Sequence, residues 1–285
     1  MKERFDFICS FGSTCLGAMS LRDAGLRLAS FPFDWMRGIP FAKRAELVAN
    51  DFAGWFEAKD LEYLELKEKH VHDSYRNRAT GAVFPHDFPH GVPFEEAYPE
   101  ARGKYDRRIA RLYDCVRRSK RVLFVWVECP MEKDSPTDAE VAAARALLLA
   151  KFPGVDIEFL VIDRAPDDEA TAAPVRGDGF WRISCGFRKT AEQGPDGKGR
   201  PWDMDTAPIL KVLTGFEAVD HRTREERRRH EAERRRKKYA ELGAKSALGF
   251  VFAKLGVKLC KRVMNRLRRR GVDLAAVFEA QLRKD

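Results

Sequence analysis

Two segments, Arg121-Val-Leu-Phe-Val-Trp-Val127 and Asp156-Ile-Glu-Phe-Leu-Val-Ile162, decide the fold together with the capped stretch between them, Thr137-Asp-Ala-Glu140. Both are nearly continuous apolar runs rich in β-branched and aromatic residues, as expected of parallel strands covered on both faces. Thr137 and Glu140 stand at capping-box spacing, which predicts a helix through Val141 to Lys151, ended by Pro153-Gly154. Strand, helix, strand with short links is the unit of a layered α/β protein whose sheet is mostly parallel and flanked by helices. Phe180-Trp-Arg-Ile-Ser-Cys185 reads as a further strand, and Phe5 to Phe11 as the first.

Between the first strand and Arg121 lies a long aromatic-rich insertion, Ser30 to Ala101. It holds Phe31-Pro-Phe-Asp-Trp35, a helical segment around Phe41 to Phe56, and Phe84-Pro-His-Asp-Phe-Pro-His90, whose prolines read as a loop. This composition predicts packed, irregular walls around a site. Tyr105 to Tyr113 reads as a helix leading into the second strand, and Trp202 to Leu210 closes the body. From Thr223 the chain becomes almost wholly charged, and Leu248, Phe252, Leu255, Leu259, Val263 and Leu267 then recur at helical steps among Lys and Arg. The domain reading is therefore an α/β domain over 1–220 and a basic helical tail over 221–285.

The net charge of +9 belongs to that tail. Residues 221–285 carry 21 basic and 8 acidic side chains, which leaves 32 basic and 36 acidic in the body. The body thus gives no reason to expect nucleic acid as a partner, and the tail lacks aromatic interleaving or a reader motif. Its amphipathic stretch, 245–270, is suited to an anionic membrane surface, each basic residue near the surface contributing about 1 kcal/mol. The same apolar seam is also suited to pairing in a homo-oligomer. No run approaches a membrane span, and Met1 to Asp6 lacks a signal-peptide core. The expected location is cytoplasmic, peripheral at the inner membrane if the tail binds lipid. Six scattered cysteines with no C-x-x-C pair argue against a disulfide framework or structural zinc site and fit a reducing compartment.

Cys15 is the candidate nucleophile. It follows Gly12-Ser13-Thr14 at the end of the first strand, and Leu16, Met19, Ala24 and Leu26 continue as a helix-like stripe. A thiol in the first turn of a helix is expected to have a lowered pKa, because unpaired backbone N–H groups favour the thiolate. His86 is the strongest partner as a base, lying in a Pro/Phe-bounded segment beside Asp87. Asp34, Asn77 and Asp87 are candidates for the third, orienting role. His70-Val-His72 places two imidazoles on one strand face without a clear third ligand, so no metal is expected. The Ser/Gly turn also resembles that of SGNH-type serine esterases, but Asp203-Met-Asp205-Thr lacks the histidine their closing Asp-x-x-His requires.

These residues resemble a bacterial family of papain-like cysteine peptidases with a domain of unknown function. The matching pieces are Ser10-Phe-Gly-Ser-Thr-Cys15-Leu-Gly-Ala18, Leu21-Arg22, Ser30-Phe-Pro-Phe-Asp-Trp35, Asn77 with Phe84-Pro-His86-Asp-Phe88, Tyr105-Asp-Arg-Arg-Ile-Ala-Arg111 and Val122-Leu-Phe-Val125. They span about the first 130 residues in the family's order. The resemblance implies a Cys–His site at Cys15 and His86, supported by Asp34 and Asn77. It also implies a setting near surface-polysaccharide synthesis, where a distantly similar capsule protein looks like an acyltransferase using coenzyme A. The papain pattern Cys-Gly-Ser-Cys-Trp is absent around Cys15.

Two functions compete. The first is cysteine-dependent acyl transfer, hydrolytic or to an acceptor, on a small-molecule, glycan or acyl substrate; it needs no cofactor, with coenzyme A as the acyl donor in the transfer case. Ser13, Trp35, Asp87, Arg107 and Arg108 are its candidate substrate contacts. The second is non-covalent binding of a sugar, nucleotide or cofactor at the carboxyl ends of the parallel strands, or glycosyl transfer there, with Arg107, Arg108 and Arg111 facing phosphate.

Overall fold

A computed structural model of the chain describes residues 2–64, 72–129, 133–165, 174–186 and 206–219, together with Arg228 and Ala232. In chain order the first elements are β1 (Glu3–Phe5), β2 (Phe7–Ser13), α1 (Cys15–Asp23), α2 (Phe41–Ala49), β3 (Leu61–Leu64), β4 (His72–Asn77) and β5 (Val83–Pro89). There follow α3 (Phe94–Arg117), β6 (Arg121–Val127), α4 (Asp138–Lys151), β7 (Asp156–Arg164), β8 (Val175–Gly177), β9 (Phe180–Cys185), α5 (Ala207–Leu213) and β10 (Phe216–Ala218).

The central sheet has the order β2-β6-β7-β9-β8. The β2/β6, β6/β7 and β7/β9 pairs are parallel, and β8 runs antiparallel to β9 at one edge. Side chains alternate across it, as strand geometry requires. Phe7, Cys9, Phe11, Phe124, Trp126, Phe159 and Val161 face one apolar core, shared with Phe41 and Val48 of α2, Tyr105 and Leu112 of α3, and Val141 and Leu148 of α4. Ile8, Leu123, Val125, Leu160, Ile162 and Ile183 face a second core with Leu16 and Leu21 of α1 and Ile209 and Leu213 of α5. Burial on both sides explains why β6 and β7 are apolar almost throughout. The helix between them starts with a complete capping box at Thr137 and Glu140, as its spacing predicts.

The first strand is interrupted. Asp6 turns its carboxylate to the backbone N–H groups of Lys120 and Arg121, and β1 leaves the sheet to pair in parallel with β10. The insertion is also more regular than its composition predicts. Strands β3, β4 and β5 form an antiparallel sheet in that order, so the Phe84 to His90 segment is mostly strand rather than loop. Its prolines are tolerated because β5 lies at the sheet edge, where a missing N–H breaks no ladder. The aromatic residues do wall this region: Phe56 packs on Tyr105 at 4.5 Å and on Phe84 at 4.7 Å, and Trp55 meets Phe84 at 5.3 Å. Helix α3 is longer than expected, running through Pro99 and Gly103.

The chain divides into two units, Met1–Asp220 and His221–Asp285. The membrane and oligomer readings of 245–270 lie outside the described residues. No helix among the described residues is long and apolar enough to cross a membrane.

Candidate functional site

Cys15 opens α1 directly beyond the end of β2. Thr14 caps that helix, its backbone extended and its hydroxyl accepting from the Leu16 N–H at 3.3 Å. The first turn lies tightly on the strand. A Cβ on Gly17 would come within 2.8 Å of both the Gly12 carbonyl and the Ser10 hydroxyl, so only glycine permits this approach. Cys15 is half-buried and a free thiol. Burial pushes the Cys15 thiol up, outweighing a backbone N–H contact at its own position that pulls it down. The lowered value expected from the helix start alone is therefore not what the site produces, because desolvation of the thiolate exceeds the favourable field of the first turn. Ser13 is buried, and among the described residues its hydroxyl has no hydrogen-bond partner.

Below this turn lies a buried cation. Arg44, on α2, has no exposed surface. Its Nε donates to the Ile39 carbonyl at 3.1 Å, Nη1 to Phe11 at 2.9 Å and Nη2 to Ser13 at 2.6 Å. The guanidinium lies over the rings of Phe33 and Trp126, at 5.2 and 5.1 Å from their centroids. Burial pulls its pKa down to about 9, with the charge of Asp134 acting the other way, so it keeps its proton at neutral pH.

A second group of polar side chains surrounds His86. His86 is exposed on β5 and meets Trp35 edge-on, with centroids 6.3 Å apart, and His72 at 6.2 Å. Arg27 lies over the other partner of that contact, 5.2 Å from the Trp35 ring, and binds Asp34 through Nη2 at 2.6 Å and Nε at 3.1 Å. Asp34 is buried and also accepts from the Phe31 N–H at 2.9 Å, while its second oxygen has no hydrogen bond among the described residues. Burial pushes the Asp34 carboxyl up, and Arg27 and the more distant Arg108 pull it back. Next to His86, Asp87 turns inward, accepting from Tyr105 at 2.7 Å with Arg108 at 3.7 Å.

The structure thus brings together Asp34, Trp35, His86, Asp87 and Arg108 through a chain of contacts. The imidazole meets the rings of Trp35 and His72, while the Asp34 carboxylate is paired with Arg27 and the Asp87 carboxylate with Tyr105. Asn77 is engaged otherwise: its amide nitrogen donates to the Gly54 and Trp55 carbonyls, and its oxygen accepts from the Ala79 and Thr80 N–H groups. That geometry holds two turns and leaves nothing for an imidazole. Arg107 is exposed and lies back along α3 near Gly103, apart from Arg108. His90 meets Asp73 at 2.8 Å, and no group of three metal-ligating side chains occurs among the described residues.

The carboxyl ends of β6 and β7 carry acids. Glu128 accepts from the Arg164 N–H at 2.6 Å, Asp134 from the Cys129 N–H at 2.8 Å, and Asp163 from the Ser135 hydroxyl and Arg182. Such a lining disfavours a phosphate there. Two grooves among the described residues are lined by neither Cys15 nor His86. One of about 420 Å³ is lined by Asp23, Leu26, Leu213 and Phe216, and one of about 230 Å³ by Phe52, Trp55, Arg102 and Tyr105.

Arg27, Arg44 and Tyr105 are the residues that sequence reasoning missed. Arg44 had a readable signal: Phe41, Arg44, Ala45 and Val48 stand at steps of three and four, which places a cation on the apolar stripe of α2. Arg27 and Tyr105 carry no such mark.

The family described as "Putative papain-like cysteine peptidase" matches residues 6–164, a span that includes Cys15, Asp34, Asn77 and His86. The chain is also 31% identical over 147 residues to "Uncharacterized protein R408" of Acanthamoeba polyphaga mimivirus, covering 46% of this chain and 66% of that protein. No solved structure matches.

Proposed function

The chain belongs to the papain-like cysteine peptidase family, and from that membership we propose that it is a cysteine-dependent hydrolase or acyltransferase with Cys15 as nucleophile and His86 as base. The observation that carries the reading is the place of Cys15, capped by Thr14 at the first turn of a helix and at the end of a parallel strand. Backbone N–H groups at such a place favour a developing oxyanion.

Burial raises the thiol pKa, which favours loss of the proton to the imidazole during attack rather than beforehand. Sγ bonds to the substrate carbonyl carbon, the thiol proton passes to the imidazole, and the carbonyl π pair moves to oxygen. Collapse of this intermediate expels the leaving group, which takes the proton from the imidazolium. The Cys15 thioester then passes its acyl group to water, or to an acceptor hydroxyl in the transfer case, with coenzyme A as the donor. The Trp35 and imidazole rings meet at right angles, and Arg27, paired with Asp34, lies over the Trp35 ring. A glycan acceptor in surface-polysaccharide synthesis is the setting we propose for transfer.

The test is turnover of p-nitrophenyl acetate and of small peptide esters. Cys15→Ala is expected to abolish it with the melting temperature unchanged, and His86→Ala to slow it by roughly 10²–10⁴-fold. An unchanged rate in Cys15→Ala would remove the reading.

A further inference from the structure

A strand of regular pleat would place His86 in the core. Side chains alternate along a strand, and Phe84 and Phe88 of β5 both face the apolar core. His86 lies two residues from each and would share their face, with Asp87 left to solvent. The structure has the reverse: His86 is exposed and Asp87 is 4% exposed.

The pairing of β4 with β5 shows how. Asp73 pairs with Phe88 and Tyr75 with Phe84, so Pro85, His86 and Asp87 stand opposite Ser74 alone. Such a bulge breaks the alternation, and here it sends the imidazole out and the carboxylate in. Pro85 carries no N–H that could restore the ladder at this point.

A buried charge costs several kcal/mol unless it is paired, so the inward carboxylate needs partners. The Tyr105 hydroxyl, itself fully buried, donates to Asp87 Oδ2 at 2.7 Å. Arg108 Nη1 lies 3.7 Å from Oδ1, and its guanidinium sits over the Tyr105 ring, 4.9 Å from the centroid. Both partners belong to α3. A helix packed on the core thus holds the residue of the bulge whose direction decides where His86 points.

We propose that Tyr105 is a positioning residue for the base: by holding the Asp87 carboxylate inside, it locks the β5 bulge with His86 on the outer face. The inference rests on His86 being the base for Cys15. Tyr105 touches no substrate, and Asp87 acts on the imidazole through the backbone of the bulge. Without the bond the bulge relaxes toward the regular pleat, which turns His86 toward the core and away from the thiol proton.

A double-mutant cycle tests this. Turnover of p-nitrophenyl acetate is measured in wild type, Tyr105→Phe, His86→Ala and the double variant, each corrected for its folded fraction. Tyr105→Phe is expected to lower kcat about tenfold or more, the scale of a misplaced catalytic group, with KM within about twofold of wild type. Added to His86→Ala, the same substitution is expected to change kcat by less than about twofold, because its target is gone. The same fold-loss in both backgrounds would make Tyr105 a structural residue, and an unchanged kcat in Tyr105→Phe would remove its role. If Tyr105→Phe does not fold, Asp87→Ala, which removes the acceptor instead, carries the same cycle. Asp87→Asn keeps an acceptor without the charge and is expected to lose less than Asp87→Ala. Equal losses in those two would assign the effect to charge and overturn the role of the bond. An unchanged kcat in His86→Ala would remove the base itself, and this proposal with it.

Discussion

The Tyr105 hydroxyl donates a 2.7 Å hydrogen bond to the Asp87 carboxylate, tying the middle of α3 to edge strand β5 one residue from His86. Both groups are buried. Burial pushes the Tyr105 phenol far up, and the Asp87 charge adds to this, so the hydroxyl remains a donor at any ordinary pH. Beyond the bridge from Val83 to Arg37, β5 has the β4 ladder alone, and this side-chain bond supplements it.

Removing the bond should register in stability. Tyr105→Phe leaves Asp87 Oδ2 buried without this donor, while Arg108 lies 3.7 Å from the other oxygen, Oδ1. A loss of about 1–3 kcal/mol is expected from urea unfolding, the usual consequence of orphaning a buried acceptor. A change under about 0.5 kcal/mol, the range of surface substitutions, would mean that water or Arg108 takes over the bond.

The Arg27–Asp34 pair makes a prediction with a definite sign. Burial already raises the Asp34 carboxyl, and Arg27 opposes that. Arg27→Met removes the opposition, so the folded-state value rises further above the unfolded one. Stability from such a group is present below the unfolded value and is lost as pH rises through the folded value. The variant should therefore be destabilised by about 3–5 kcal/mol at pH 7, the scale for breaking a buried pair, and by less at pH 5. Unfolding measured at the two pH values checks this, and an equal loss at both would contradict it.

Asn77 lies within the span matched by the family, yet its amide holds four backbone groups. Asn77→Ala is expected to cost about 2–4 kcal/mol, since the Gly54 and Trp55 carbonyls and two N–H groups lose their partner. Turnover per folded molecule should be unchanged. A stable variant with no turnover would instead give Asn77 a place in the chemistry.

Cys15 should behave as a shielded thiol. Since burial raises its pKa, the rate of alkylation by iodoacetamide should keep climbing as pH passes the ordinary thiol value of about 8.5. A plateau below neutrality would reveal a resting thiolate and a mechanism closer to that of papain.

Much of this was readable in the sequence where burial is two-sided or capping is local. Arg121–Val127 and Phe180–Cys185 are strands over the lengths expected, because continuous apolar runs leave few alternatives. Thr137 and Glu140 announce α4 through contacts three residues apart. The misreadings came where tertiary context decided. Pro85 and Pro89 look like loop residues until β5 is found at a sheet edge. Pro99 and Gly103 hide the first half of α3, which packing holds helical. At the site, sequence could nominate Cys15, His86, Asp34, Trp35, Asp87 and Arg108 by residue type and setting. It could not foresee that Asp34 pairs with Arg27, that Asn77 secures turns, or that burial outweighs the helix start at Cys15, since each depends on residues distant along the chain.

The most direct measurement of the central claim is intact-protein mass spectrometry after brief exposure to p-nitrophenyl acetate at neutral pH, with the modified residue mapped. One acetyl group on Cys15 is expected in wild type, none in Cys15→Ala, and slower accumulation in His86→Ala. Acetylation that is absent from Cys15 in wild type, or that proceeds equally in His86→Ala, would contradict a Cys15–His86 acyl-transfer site.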